Sequence, residues 1–497
     1  MVSYVDQILL KIEYNYLFAT TILDVLIDHD RIIRIGQIKL EKHTEVIDAK
    51  GSEVIPGFIE IGSTADHYWS LFKNSLDDYI RHGVTTIIGG NESVSLAPLM
   101  CDAHLLLQKW TSLYGHNIGW KSLHDFLNIV DQQNISVNYG TLLGYTTLRH
   151  AYTSHLSQDL TERELHALGR SIQEGIQEGA LGVSLNSSSI HMRRIPSHEE
   201  EYVAHVLAEA SAVYAITKET DNPEHTVNAF KATLELSMRT GANIEYTHLS
   251  SVPLDETGGG LILETIEKKS SRAHIHYDCT CAHEHTIPFV NILPQWAQEK
   301  EMLFHHMHQF HHIQELIDYM ELHAPRHLYI AHINDPSFHF LEGKKVETYA
   351  TIRNMSYGEA IIDILRITQM RGNWGYTLKH TIPNSLLYSP YGFISSYSAG
   401  IPKRTGNDAS SFLQFLKKAN EDGILSRERA IQKLTASPAK KYRIKKRGML
   451  KEGYFADIVV LKESIPHYVF VNGIKTLDQG KITKKRGGKT LRVRAKD

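Results

Sequence analysis

Over about 380 residues, beginning near position 54, short apolar runs alternate with segments of helical periodicity, a pattern that means parallel strands covered by helices. The strand candidates are VIPGFIEI, GVTTIIGG, NYGTLLGY, ALGVSL, VYAIT, NIEYTH, HIHYD, HLYIAHI and SLLYS. Between them lie segments such as TERELHALGRSIQEGIQEG. It opens on a Thr161/Glu164 capping box and sets Leu165, Leu168, Ile172 and Ile176 along one face. Roughly eight such units close naturally into a (β/α)8 barrel of the TIM type.

The flanks are different. Residues 7–55 read as short strands, with Asp28-His29-Asp30 at the turn of a hairpin in VLIDHDRIIRIG. Short strands return after 445 in YFADIVVLK and HYVFVNGIKT. Two such segments on either side of a barrel are expected to pair, giving a small β-sandwich from 1–55 plus 440–497 and a barrel from 56–439. The stretch from about 283 to 385 is too long for one βα unit and is rich in His, Met and aromatic residues, so an inserted helical subdomain beside the barrel mouth is expected there.

The net charge of −3 gives no broad basic surface, which argues against a nucleic-acid partner. No apolar run is long enough to cross a bilayer, and the first residues lack the pattern of a signal peptide. The three cysteines are too few for a disulfide framework, so a cytoplasmic, reduced protein is expected, with Cys279 and Cys281 as structural thiols. The basic tail KITKKRGGKTLRVRAK reads as a solvated C-terminus. Thirty histidines keep metal chemistry in view. In FHHMHQFHH, His305, His308 and His312 fall near one helical face, as a polar surface or a metal-binding patch. Neither a Gly-x-Ser-x-Gly elbow nor a phosphate-binding loop occurs.

Taken together, VIDAKGSEVIPGFIEI, HGVTTIIGGNESVSLAPL, VNYGTLLGYTTLR, EGALGVSL, IEYTHLSS, ILPQWAQE, ILSRERAIQKLTASPAKKY, RGMLKEGYFADIVVL and YVFVNG resemble the D-aminoacylase (N-acyl-D-amino-acid deacylase) branch of the metal-dependent amidohydrolases. The resemblance implies the barrel, the flanking sandwich and an inserted subdomain. It also implies hydrolysis of a linear amide in an N-acyl amino acid or related small molecule, with zinc held where strand ends converge.

Carried over residue by residue, the family's site is depleted. The His-x-His pair falls on Gly62 and Thr64, and the metal-bridging cysteine on Glu92 in GNES. The later-strand histidine falls on His248, and the next strand offers His276, with His274 as the alternative. The aspartate expected as general base falls on Pro390 or Tyr391 in YSPYG, and a family histidine becomes Tyr145. Lys403 and Arg404 are the nearest candidates to hold a substrate carboxylate, with Tyr145 beside them on the substrate side. Asp66 and His67 could form a shifted ligand set, and Lys218 a carboxylated bridge. Two readings stay open. One is a hydrolase with a single zinc ion on His248, His276 and Glu92. The other is a metal-free, catalytically silent relative that binds a small molecule or a protein. The sequence leaves the oligomeric state open.

Overall fold

The structure is a computed structural model that describes residues 7–493 except 17–18, 40–43, 50, 68–70, 73–75, 102, 104–117, 154–157, 188–194, 219–221, 250–253, 283, 298–309, 378–381 and 398–409. Lys403, Arg404, His305 and His308 lie outside the described residues.

The barrel runs through Phe58–Glu60, Val84–Gly89, Asn138–Thr141 continued by Leu143–Gly144, Gly182–Asn186, Val213–Thr217, Asn243–Thr247, His274–Cys279 and Gly392–Ile394, each parallel to its neighbour. At the seam between first and last strands the buried Glu60 carboxylate accepts from Ser395 Oγ at 2.6 Å, from Ser396 N at 2.7 Å and from Ser396 Oγ. Inside, Ile59, Ile88, Leu142, Val213 and Ala215 pack with Phe393, and Ala439, Tyr442 and Leu491 join them from the C-terminal region. The barrel is therefore a filled core that opens only at its ends. The capping box at Thr161 and Glu164 forms as expected, and Leu168, Ile172 and Ile176 are buried.

Two sheets make the sandwich. One has the order Arg31–Gly36, Ala19–Asp28, Gln7–Tyr16, Thr44–Asp48. The other is built from Ile458–Lys462 and the strands after it, with Glu53–Pro56 from the N-terminal region added at its edge. Leu10, Val25, Ile32 and Ile47 of the first meet Val54, Ile458, Val460 and Phe470 of the second. The turn at His29 takes a left-handed φ of +51°, which closes the expected hairpin.

Three sequence expectations change. HLYIAHI is a strand (Tyr329–Ile333), but it lies outside the barrel, antiparallel to Gly372–Thr377 in a three-stranded sheet with Glu284–Pro288. The insertion is thus mixed rather than purely helical, and Trp374, Phe289, Leu316, Met320 and Ile361 give it its own core. SLLYS is a short helix (Asn384–Tyr388) entered from Pro383, and the eighth barrel strand is Gly392–Ile394. A three-residue apolar run carries too little periodicity to separate the two states. The basic tail, finally, is not simply solvated. Lys489 O accepts from Tyr139 N at 3.0 Å, Leu491 N donates to Tyr139 O at 2.7 Å, and Thr490 N donates to Asp131 at 2.8 Å.

Candidate active site at the barrel mouth

The turn after Val84–Gly89 is held from several sides. Asn91 Nδ2 donates to Ile61 O, Ser63 O and Ile88 O at 3.2, 3.0 and 2.9 Å, and Gly90 N donates to Asp66 Oδ2 at 2.6 Å. Gly90 is required here: its φ is +71°, and a Cβ would stand 2.0 Å from Leu142 O. The turn delivers Glu92 to the mouth, where its carboxylate lies 2.9 Å from His248 Nε2 as an ion pair and accepts from Asn186 Nδ2. Burial pushes the Glu92 carboxyl up, but attraction to His248, the Asn186 amide and His67 outweigh it and hold the group at about 2.

His248 follows Asn243–Thr247, and its backbone N–H donates both to Asp278 Oδ1 and to the Tyr397 hydroxyl, each at 2.9 Å. The Tyr397 ring lies against the imidazole, with centroids 3.7 Å apart. Glu92, His248 and Tyr397 all have left-handed backbones, with φ of +56°, +62° and +53°. Such conformations cost about 1–3 kcal/mol each and concentrate at functional sites. Below them lie Asp278 and Glu245, both fully inside the barrel. Burial lifts both carboxyls above the usual range, and the charge of Glu245 lifts Asp278 further.

Tyr397 also accounts for Gly62. A Cβ on Gly62 would fall 2.3 Å from Ser395 Oγ and 2.6 Å from Tyr397 Cδ1. The volume into which a histidine at 62 would project is filled by the tyrosine. Thr64 sits alongside, its hydroxyl donating to Tyr397 O at 3.4 Å.

The sequence candidates thus separate. Glu92 and His248 meet at the C-terminal strand ends. His274 pairs with Asn243, the first residue of its strand, and His276 lies one step on, so both face the opposite end. There the His276 ring stacks on Phe393 at 5.0 Å, and its Nδ1 is 3.3 Å from Lys441 Nζ. Burial and then the charges of Lys441 and Lys440 push the His276 imidazole down to about 3. Pro390 and Tyr391 precede the last barrel strand and belong to that end too, with Tyr391 O accepting from Tyr277 N at 3.0 Å. What the last strand brings to the mouth is Ser395, Ser396 and Tyr397. Tyr145 is fully buried and donates to Glu199, which Arg149 also holds at 3.2 Å. Asp66 is buried under the mouth turn, and Lys218 pairs with Glu200 at 2.9 Å. Cys279 is buried with its thiol pushed up by burial, as a structural thiol should be.

As placed, the donors do not make a metal site. Glu92 and His248 hold each other, and His276 is at the far end. Among the described residues no three His, Cys, Asp or Glu side chains group to hold an ion.

No family model matches the chain. Among curated proteins, N-acyl-D-aspartate deacylase and D-aminoacylase of Alcaligenes xylosoxydans xylosoxydans are each 24% identical to it. The alignments cover 94% of this chain and 91% and 93% of theirs. The chain resembles the D-aminoacylases. The likeness extends to solved structures. A crystal structure of D-aminoacylase described as defining a novel subset of amidohydrolases superposes with a TM-score of 0.74 at 20% identity, covering 98% of this chain and 99% of that one. N-acyl-D-glutamate deacylase from Bordetella bronchiseptica, complexed with zinc and a phosphonate inhibitor, gives 0.74 at 19% identity over the same shares. These superpositions bear out the expected barrel fold with its additional sheets. No described helix is long and apolar enough to cross a membrane.

Two mouth residues escaped the sequence reading. Asp278 was within reach, because it lies two positions beyond His276 on the same strand face. Tyr397 was not, since it becomes visible only once the last strand is placed at Gly392–Ile394.

Proposed function

We propose that the protein hydrolyses a linear amide in an N-acyl amino acid or a related small molecule, and that the reaction takes place at Glu92 and His248. The Glu92–His248 ion pair at the convergence of strand ends carries this reading, supported by resemblance along nearly the whole chain to N-acyl-D-amino-acid deacylases. When His248 is neutral, Glu92 holds the ring's proton on Nε2, which leaves Nδ1 as the basic nitrogen. A neutral imidazole so placed can take a proton from water as its oxygen bonds to the acyl carbon, and return that proton to the amide nitrogen as the C–N bond breaks and the amine leaves. A solved D-aminoacylase has a binuclear metal centre and the solved N-acyl-D-glutamate deacylase is complexed with zinc. Because the placed donors here do not form a set for a metal, the proton transfer is assigned to the chain's own groups.

The test is a panel of N-acetyl D- and L-amino acids given to untagged protein, with and without added zinc. Turnover of at least one member is expected. No turnover in either condition would overturn the proposal in favour of a silent relative that binds a small molecule.

A further inference from the structure

At the end of the barrel opposite the mouth lies a cavity of about 580 Å³. It is lined by His274, His276, Asn243, Lys440, Lys441 and Arg443, and no aspartate or glutamate is among its described lining residues. Lys441 is buried, and its ammonium donates to Asn243 Oδ1 and Ile244 O, both at 2.6 Å. Arg443 is aimed by one guanidinium nitrogen, which donates to Ala210 O and Ser211 O at 3.3 and 3.2 Å. Lys440 is exposed on the rim and has no carboxylate partner among the described residues. The ring of Phe393 beneath His276 supplies a flat apolar wall.

Cations at fixed positions in a recess, without a balancing acid on its walls, focus a positive potential and raise the local concentration of anions. Arginine and lysine together suit an oxygen-rich dianion, since the fork and the ammonium can each meet an oxyanion. We propose that this cavity is a binding site for a phosphate group, with Lys440, Arg443 and His274 as its donors and the His276 ring and the buried Lys441 as its floor. The volume exceeds what one phosphate fills, so the group can arrive free or as part of a small phosphomonoester. The site is independent of the chemistry at the mouth.

The experiment is isothermal titration of the full-length protein with inorganic phosphate and, separately, with glycerol 3-phosphate. Saturable one-to-one binding of at least one is expected, weakened at least tenfold in Lys440→Gln and in Arg443→Gln and unchanged in His248→Ala. Tighter binding of the ester points to an organic phosphate, and equal binding to the free ion. Lys440 is exposed, so its variant remains informative even if Arg443→Gln fails to fold. Absence of saturable binding by both ligands, an unaltered affinity in Lys440→Gln, or loss of binding in His248→Ala would each overturn the assignment.

Discussion

The two ends of one barrel solve the placement of charge differently. At the mouth, the negative Glu92 is answered by His248 and Asn186, and a tyrosine ring fills what remains. At the base, Lys440, Lys441 and Arg443 gather around two histidines with Glu245 as the nearest buried acid behind them. Both ends are rich in residues that could serve a metal or a substrate, yet they differ in kind: the mouth is a neutralised, backbone-strained cluster and the base a cationic recess. Residue type alone does not separate a candidate active site from an anion site. Position along the strand does, because strand starts and strand ends face opposite ends of the barrel.

The largest effect that can break this contrast lies at Gly62. Replacing Gly62 by histidine forces a side chain into the volume of Tyr397 and Ser395, and overpacking of this kind is expected to cost about 3 kcal/mol in denaturant unfolding. Adding Tyr397→Ala should recover a large part of that loss. A stable single variant would show that the tyrosine does not occupy the space.

Next is the ion pair. Glu92→Gln is expected to lose about 2 kcal/mol at neutral pH, because the carboxyl is held well below its ordinary range. The sign follows from the depressed value: the contribution is complete above the ordinary carboxylate pKa of 4.5 and disappears as pH falls toward about 2. Unfolding free energies of wild type and variant should therefore converge between pH 4.5 and 2. A gap that persists unchanged to pH 2 would remove the electrostatic account of Glu92.

The smallest effect belongs to the base. His276→Ala gives up a stacked contact with Phe393, worth about 1 kcal/mol, and is expected to leave amide hydrolysis and any bound zinc as they are. Lowered zinc content in that variant would return His276 to the mouth chemistry.

Much of the fold was legible because parallel strands buried on both faces read as continuous apolar runs, as in VYAIT and ALGVSL. The eighth strand was not, since Gly392–Ile394 is three residues long and the stronger patterns nearby, HLYIAHI and SLLYS, belong to the insertion and to a helix. The site was legible in part for the same reason. His248 and Glu92 each follow a well-marked strand. The last-strand acid was sought at Pro390 and Tyr391, and that error followed from misplacing the strand by a few residues. On the strand after His248 the choice was between His274 and His276, and Asp278, on the same strand face, was passed over because only depth in the barrel separates these positions.

The central claim is that amide chemistry belongs to the mouth pair and not to the histidines of the base. It is tested most directly by kcat/KM for the best N-acetyl amino acid in His248→Ala and His276→Ala, measured side by side. The account predicts a loss of about 100-fold or more in His248→Ala, the scale of a lost general base, and wild-type activity in His276→Ala. Retained activity in His248→Ala, or a comparable loss in His276→Ala, would contradict it.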